Sequence, residues 1–520
     1  MSGNRDHDAS RRYHEATRHS RESVRASSHG LDWSNKPEPF KIYPDLPVTP
    51  LPRDFPVPTM DALAAISGEV DATAPLDLER LAALLFFSAG VTRRQTYPGG
   101  GVMYFRAAPS TGALFQTEVY VVAGGVTGLA AGVYHFSPGD FALRQLRAGD
   151  FRGALAIAAA DEDLASRPAV LALTAIYWRN TWKYQARGYR HLFWDSGTML
   201  ANLLAAATAL ALPVRAVAGF VDLEVNGLLA VDPEKEGALL LAPVGGPAGF
   251  APSPPVIATI APPVIPLSES EVDYPLLRDA YANSALDSEA EVMAWREAAW
   301  RSARPPAGVL VPLPPPRPSA GRPLADTILA RGSTREFSGA AIGAEELSTA
   351  LWHATRGGQA DVPSGLVDLY LTVHAVEGIE PGAYAYHPAA HTLELLKRGD
   401  FRQEAAYLCL EQALGGMSSS TVFFLADLDA LLETYGNRGY RLANLEAGLI
   451  GGRLYLGAYA QRFGATGLTF YDRDVIAFFS PHAAGREAIF VTALGRSVKG
   501  PVHSPAPLQI GRLPSSQPSP

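Results

Sequence analysis

Three polar residues at alternate positions near the middle of the chain have the composition of an anion site. Arg331, Ser333 and Arg335 lie in the run Arg-Gly-Ser-Thr-Arg. Two guanidinium groups and a hydroxyl can give charge-assisted hydrogen bonds to a phosphate dianion. The alternative is a charged helix entry in which Ser333 acts as the N-terminal cap. The helical pattern that follows favours phosphate binding.

A second candidate segment is a loop of mostly small residues. It consists of Pro109, Ser110, Thr111, Gly112, Ala113 and Leu114. Because small side chains let the backbone approach a ligand closely, this loop suits contact with a flat ring system. The alternative is an ordinary turn before the strand that follows.

A third candidate is the adjacent pair Lys183 and Tyr184. A lysine near apolar walls has a lowered pKa, and a tyrosine hydroxyl can be polarised, so either residue can serve as a base. The alternative is structural. In that case Lys183 extends its amine to solvent from the start of a helix, and Tyr184 packs.

An internal repeat organises the chain. Residues 126–152 and 376–402 are identical at 11 of 27 positions without a gap, whereas about two matches are expected by chance. A second match follows in register, where the run beginning at Arg187 (Arg-Gly-Tyr-Arg) recurs at Arg438. This repeat is too long for a solenoid unit and has the right size for a fused dimer. A site at the junction can therefore take one half from each copy.

The fold class follows from the pattern of short strands and long helices. β-branched and aromatic runs in each copy predict strands, and 132–138 with 141–146 predicts a hairpin. The Ala/Leu-rich stretches 189–210 and 440–462 predict buried central helices. We therefore expect an α+β fold in which a sheet packs against long helices.

Changes in composition divide the chain into five segments. Proline-rich stretches predict semi-rigid straps between the copies, and we expect the polar N-terminal segment to be mobile or to lie on the surface. The predicted segments are a polar N-terminal segment 1–35, a first domain 36–246, a Pro-rich connector with a helical piece 247–321, a second domain 322–500 and a disordered tail 501–520.

Composition also excludes several classes of function. The net charge of −8 shows no basic stripe, which argues against a nucleic-acid partner. Cys409 is the only cysteine, and the 12 histidines lack ligand spacing, so no metal site is predicted. The N-terminus lacks an apolar signal segment, and the longest apolar stretch, 199–212, is too short to span a bilayer. We expect a soluble cytoplasmic protein.

Taken together, these motifs and their order resemble the nitroreductase superfamily, and within it the SagB-type thiazole-oxidase branch. The resemblance covers nearly the whole chain outside the connectors and tails. It implies two nitroreductase-like domains packed as a pseudo-dimer, with FMN in the groove between them. The Arg-x-Ser-x-Arg motif of one copy would hold the ribityl chain and phosphate, and the Pro-Ser loop would come from the other copy.

The resemblance implies further site residues. Gly467 and Leu468 match a backbone turn near the flavin N5 atom, and Arg496 and Lys499 stand where the superfamily places basic residues for the phosphate. Lys183 and Tyr184 match a Lys-Tyr pair that is implicated in deprotonating the substrate while hydride passes to FMN.

The two copies differ in ways that predict one cofactor per chain. Copy 1 has no arginine in the stretch 65–69, where its phosphate motif would stand. In copy 2, Pro363 lies 7 residues before Tyr370, whereas Pro109 lies 11 before Tyr120. Only one junction therefore combines a phosphate cradle from copy 2 with a complete loop from copy 1.

The leading interpretation is an FMN-dependent oxidoreductase of the SagB-dehydrogenase type. Hydride would move between flavin and a small-molecule or modified-peptide substrate such as an azoline ring. A second interpretation is an NAD(P)H-dependent nitro or quinone reductase, and a third is a flavin-free binding or docking subunit. The internal pseudo-dimer is compatible with a monomer, and the electron partner stays open.

Overall fold

The structure is a computed structural model that describes residues 3–70, 73–96, 102–300, 305–357, 359–361 and 363–498. Within these ranges, no helix is long and apolar enough to cross a membrane. The predicted tail 501–520 lies outside the described residues.

The first copy and its N-terminal lead-in form an antiparallel sheet with helices around it. The helices are α1 (Asp8–Ala16), α2 (Arg21–Ala26), α3 (Ala62–Ser67), α4 (Leu78–Ala89), α5 (Arg152–Ala158), α6 (Asp163–Ser166), α7 (Tyr177–Tyr184), α8 (Gly188–Ala209) and α9 (Asp222–Leu229). The strands are β1 (Val48–Pro50), β2 (Val91–Thr96), β3 (Val102–Arg106), β4 (Thr117–Ala123), β5 (Gly132–Ser137), β6 (Ala142–Ala148), β7 (Ala169–Ile176), β8 (Arg215–Ala216) and β9 (Glu236–Val244).

The second copy and the helices that precede it repeat this arrangement. The helices are α10 (Pro275–Ala282), α11 (Glu289–Arg296), α12 (Leu324–Ala330), α13 (Ala344–Ala354), α14 (Arg402–Leu408), α15 (Ala413–Met417), α16 (Leu428–Tyr435), α17 (Arg438–Ala460) and α18 (Asp472–Phe479). The strands are β10 (Val309–Pro312), β11 (Ile342–Gly343), β12 (Gln359–Ala360), β13 (Asp368–Val373), β14 (Val376–Glu377), β15 (Gly382–His387), β16 (Thr392–Arg398), β17 (Ser420–Ala426), β18 (Gly464–Leu468) and β19 (Glu487–Gly495).

The main sheets of the two copies have the same strand order. The first runs β1-β6-β5-β4-β7-β9, and the second runs β10-β16-β15-β13-β17-β19 with β18 added at its edge. The predicted hairpin is β5 and β6, which pair antiparallel. Every residue of β7 is buried, because helices and loops cover both faces of the sheet. The predicted α+β fold with two tandem domains is confirmed.

The long helices α8 and α17 cross at the centre of the molecule in close contact. A Cβ atom on Gly197 would lie 2.4 Å from the carbonyl oxygen of Leu445, and one on Gly448 would lie 2.3 Å from that of Trp194. Any larger side chain at either glycine would force the helices apart. The two contacts are equivalent, so the copies are related by an approximate twofold axis through this crossing.

Buried ion pairs join the copies around the same axis. At the start of each central helix, two arginines form ion pairs with one aspartate of the other copy. The pairs are Arg187 and Arg190 with Asp472, and Arg438 and Arg441 with Asp222, at N–O distances of 2.6–3.0 Å. Loss of one partner would leave a buried charge uncompensated, which typically costs about 3–5 kcal/mol. These clusters fix how the copies face each other.

The first part of the N-terminal segment packs into the molecule, whereas residues 20–35 are mostly exposed, as a surface position would require. Tyr13 in α1 is fully buried, and its hydroxyl donates to the carbonyl of Ala186 at 2.7 Å. The Tyr13 ring also contacts the rings of Tyr189 and Tyr440, one from each central helix. The polar composition of this segment concealed a helix face that packs at the junction.

The connector is likewise more than a strap with one helical piece. It contains the two helices α10 and α11, and their inward side chains belong to the core. The buried residues are Leu277, Ala280, Tyr281, Leu286, Val292 and Trp295. The flanking prolines predict extended chain, and their strong signal hid the helical periodicity of α10 and α11.

Candidate functional site

A groove of about 1280 Å³ lies between the copies. Copy 1 lines it with the Pro-Ser loop and the end of α7, and copy 2 lines it with the Arg-x-Ser-x-Arg segment and the end of β18. The predicted site residues among its lining are Pro109, Ser110, Thr111, Gly112, Ala113, Lys183, Tyr184, Arg331, Ser333, Arg335, Gly467 and Leu468. The structure therefore brings together segments that are up to about 360 residues apart in sequence.

Arg331 joins the copies at the base of the groove. Its Nε donates to the carbonyl of Ala107 at 2.9 Å, and its Nη2 donates to the carbonyl of Arg106 at 3.0 Å. Burial lowers the pKa of Arg331 from its usual value. Because two donors are used on backbone of copy 1, this side chain has a structural role as well as any role in phosphate binding.

Ser333 belongs to a short hydrogen-bonded chain. Its Oγ lies 3.2 Å from the hydroxyl of Tyr455 in α17, and that hydroxyl accepts a 2.6 Å hydrogen bond from the amide of Gly467. Tyr455 thus ties the phosphate-motif segment to the end of β18. This contact fixes the relative positions of two of the predicted cofactor-binding segments.

Arg335 is the exposed arginine of the motif. Its side chain lines the groove, and within the described chain it forms no hydrogen bond or ion pair. An exposed guanidinium in a groove is available for a bidentate contact with a phosphate.

Asp195 in α8 holds the Pro-Ser loop in place. Its carboxylate accepts hydrogen bonds of 2.6–2.8 Å from Ser110 Oγ, the Thr111 amide, Thr111 Oγ1 and Gln116 Nε2. Ser110 Oγ also accepts from the amide of Phe115 at 2.9 Å. Burial raises the pKa of Asp195 to about 6, while the four donors act in the opposite direction.

Gly112 brings the loop close to the end of α7. Its φ of +67° lies in the left-handed region, and a Cβ atom there would lie 2.8 Å from the Tyr184 hydroxyl oxygen. A side chain at Gly112 would therefore be strained and would displace Tyr184. The loop and the Lys-Tyr pair form one wall of the groove.

Replacing Asp195 by alanine is expected to loosen this wall. Of the four donors, only Gln116 Nε2 makes a fully buried hydrogen bond. A buried donor that loses its partner costs roughly 1–3 kcal/mol, so we expect the free energy of unfolding to fall by about 3 kcal/mol. Chemical denaturation would measure the change. The control Asp429→Ala removes an exposed pair with Arg11 and should cost at most about 1 kcal/mol. Equal losses in the two variants would contradict the role assigned to Asp195.

Lys183 and Tyr184 differ in how easily they lose a proton. Burial, followed by the charges of Arg335 and Lys36, lowers the pKa of the half-buried Lys183 amine. Burial and the charge of Asp195 raise the pKa of the Tyr184 hydroxyl. Of the two candidate bases, Lys183 therefore loses its proton more readily and is more available in a proton-accepting form, whereas Tyr184 keeps its proton and is placed to act as a neutral hydrogen-bond donor.

Two predicted residues, Leu114 and Arg496, are not brought to the groove, and a third cannot be placed. Leu114 is buried in an apolar cluster with Trp178 and Trp182. Arg496 turns away and pairs with Glu346 at 2.7 Å. Lys499 lies outside the described residues. The side chain of Leu114 lies in this cluster because the loop closes a turn after Ala113 and directs the next side chain into the core.

The copies also meet at a second junction, which the approximate twofold axis relates to the groove described above (the first groove). Residues of the chain itself fill this second junction. Asp361 accepts hydrogen bonds from the amides of Ala218 and Gly219, both at 2.8 Å. These amides belong to the segment of copy 1 that corresponds to Leu468 and Thr469 in copy 2. A carboxylate of the chain thus satisfies donors whose counterparts border the first groove.

The shortened loop of copy 2 is held as its counterpart is. Glu446 in α17, the equivalent of Asp195, accepts from the amides of Gly365, Leu366 and Val367 at 2.6–2.9 Å. Burial raises the pKa of Glu446 to about 7. In both copies, therefore, a buried carboxylate of the central helix holds this loop. The two junctions differ in the length of the loop and in what fills the space between the copies.

Two further residues line the groove that are not among the predicted site residues. His19 of the N-terminal lead-in lines the groove, with its Nδ1 atom 3.4 Å from the Thr469 hydroxyl. Burial and the charge of Arg187 lower the pKa of His19 to about 3, so the ring is neutral. Arg93 on β2 also lines the groove, and its guanidinium lies 4.2 Å from the centre of the Phe105 ring. An isolated histidine and a charged strand carry no motif that would have identified them.

Comparison with known proteins agrees with the two-copy architecture. The sequence pattern of the nitroreductase family matches residues 71–246 and again residues 328–484. The chain belongs to the nitroreductase family. A protein of Methanocaldococcus jannaschii named as a nitroreductase is 33% identical over 174 residues, which are 33% of this chain and 82% of that relative.

A solved structure of a nitroreductase-family protein also spans both copies. A protein of Anabaena variabilis named as a nitroreductase matches with a TM-score of 0.77 and 28% identity, covering 94% of this chain and 99% of the other. A chain of the E. coli microcin synthetase McbBCD complex matches 35% of this chain and 70% of its own length at 24% identity, with a TM-score of 0.29. The tandem nitroreductase fold is therefore shared with the Anabaena protein over nearly the whole length.

Proposed function

We propose that this chain is an FMN-dependent oxidoreductase of the SagB-dehydrogenase type, with one FMN bound between its copies. Membership of the nitroreductase family supports oxidoreductase activity. The observation that carries the proposal is the single groove that unites the exposed Arg335 with a complete, Asp195-held Pro-Ser loop. The substrate class we favour is a small-molecule or modified-peptide ring such as an azoline.

The residues that line the groove fit FMN. Its volume of about 1280 Å³ exceeds the roughly 300–1,000 Å³ of common ligand pockets, which leaves space for a cofactor and a substrate together. Arg335 offers a guanidinium to a phosphate, and the backbone at Gly112 is open to a flat ring system. Gly467 and Ser333, tied through Tyr455, form the facing wall.

The side chains of the groove have distinct roles in this proposal. FMN, when bound, would supply the two-electron redox centre. Oxidation of an azoline to an azole removes two electrons and two protons from the ring, and Lys183 is the base placed to accept a ring proton. Tyr184 donates a hydrogen bond and holds the loop at Gly112. Asp195 keeps that loop rigid.

One FMN per chain is the expected stoichiometry. The first groove offers Arg335, whereas in the second junction Asp361 occupies the amides of Ala218 and Gly219. Flavin released from denatured protein should be quantified against chain concentration, and a ratio near one is expected. A ratio near two would contradict the filled second junction. Absence of flavin would instead support the flavin-free binding or docking interpretation.

A further inference from the structure

The lead-ins of the two copies, α1–α2 and α10–α11, hold equivalent positions. Asp472 accepts from the amide of His19 at 2.8 Å, and Asp222 accepts from the amide of Leu286 at 3.0 Å. The amide of each aspartate donates back to the carbonyl of the same partner, at 3.1 and 3.2 Å. His19 and Leu286 therefore correspond, although the sequences around them share almost no identity.

The helices that follow begin with the same cap, which sets their register. Ser20 accepts from the amide of Ser23 at 3.1 Å at the start of α2, and Ser288 accepts from the amide of Glu291 at 3.3 Å at the start of α11. Copy 2 has one additional residue, Asp287, between the anchor at Leu286 and the cap at Ser288, whereas Ser20 follows His19 directly. Aligning the caps across this insertion gives two informative equivalences, which are Val24 with Val292 and Ser27 with Trp295.

In the second junction, Trp295 fills the space between the copies. It is 3% exposed. A Cβ atom on Gly219 would lie 2.7 Å from its indole ring, and the centre of that ring is 5.7 Å from the centre of the Tyr435 ring. Gly219 and Tyr435 correspond by position to Thr469 and Tyr184, which line the first groove. The indole ring thus fills the space between Gly219 and Tyr435, which we call the slot. The equivalent space in the other junction, between Thr469 and Tyr184, is part of the first groove.

In the first groove, α2 is the equivalent of α11, and it lies over open space. Val24 and Ser27 line the groove, and α2 contains no buried residue. The segment is anchored at both ends, by the His19 amide on Asp472 and by the His29 ring, whose Nε2 lies 3.1 Å from the carbonyl oxygen of Trp182. A serine hydroxymethyl group stands where the second junction has an indole.

We propose that residues 20–29 form a lid over the groove and that Ser27 sets the size of the substrate group that fits beneath it. The slot corresponding to Trp295 takes a planar, uncharged ring no larger than an indole. Ser23, Val24 and Ser27 present no charge to it. This inference rests on the proposed function, because it assigns the slot to substrate and leaves the floor of the groove to FMN.

The variant Ser27→Trp tests the lid by rebuilding the filled junction in the first groove. Indole is the probe, and its dissociation constant would be measured by calorimetry on the purified full-length chain. We expect at least about tenfold weaker binding of indole to the variant, with the flavin-to-chain ratio and the thermal unfolding temperature unchanged. Ser27→Phe should give a similar loss, because a phenyl ring fills most of the same slot.

The matched control is Ser28→Trp, since Ser28 is exposed and outside the groove lining within the described chain. It should bind indole as the unmodified protein does. The lid proposal would be overturned by unchanged indole binding in both Ser27 variants. It would also be overturned if the unmodified protein did not bind indole. Loss of flavin in Ser27→Trp alone would place residue 27 against the cofactor and overturn it as well. Ser27-dependent indole binding by a flavin-free chain would refute the proposed function and keep the lid.

Discussion

Replacing Arg335 by alanine is expected to strip FMN from the purified protein. Arg335 is the exposed guanidinium of the groove, and loss of a charge-assisted hydrogen bond to the phosphate costs roughly 1.5–3 kcal/mol. This corresponds to binding that is about tenfold to hundredfold weaker. Titration of FMN into the flavin-depleted protein, followed by quenching of flavin fluorescence, would give the dissociation constants.

Arg94→Ala is the control for this prediction. Arg94 lies on β2 beside the groove residue Arg93, is exposed, and is absent from the lining of the groove in the described chain. It removes the same charge and should leave the flavin content unchanged. If Arg94→Ala loses FMN and Arg335→Ala retains it, the phosphate binds to copy 1 and the assignment of the motif is wrong.

The sheets and central helices were predictable because their signals are local. Alternating β-branched residues indicate the strands, and an Ala/Leu-rich pattern without proline indicates α8 and α17. The lead-ins were not predictable in the same way. Their equivalence rests on backbone contacts of His19 and Leu286 with distant aspartates, and such contacts leave no identity between the two sequences. Tyr13 is buried only because α1 meets both central helices.

The candidate site shows the same division between local and long-range information. Arg335 and the Pro-Ser loop were identified from short motifs, and the structure brings them to one groove. The role of Asp195 was missed because its four donors come from a loop about 80 residues earlier in the chain. Arg496 was assigned to the phosphate by position alone, and only the structure reveals Glu346 beside it. The assignment of Lys499 stays a prediction.

Lys183→Ala and Tyr184→Phe are expected to keep FMN while losing turnover. A positioned general base typically contributes about a hundredfold to ten-thousandfold, and azoline oxidation should suffer most because a ring proton must leave. The lysine variant should lose more, since burial favours the neutral amine of Lys183 and the protonated hydroxyl of Tyr184. Single-turnover rates on an azoline peptide and flavin absorbance would separate chemistry from cofactor loss.

The pH profile provides a further test of Lys183 as the base. Only the neutral amine accepts a proton, so turnover of the unmodified protein should rise with pH through the lowered pKa of Lys183 and then level off. Lys36→Ala is the matched control, because the Lys36 charge helps to lower that pKa. Its removal should move the rise to higher pH and leave the plateau unchanged.

A Lys183→Ala variant with the original turnover would make the pair structural, and variants that are inactive only through flavin loss would assign it to the cofactor. Equal reduction of quinones by NAD(P)H in both pair variants would favour the generic reductase over azoline oxidation, because that reaction needs no base at this position.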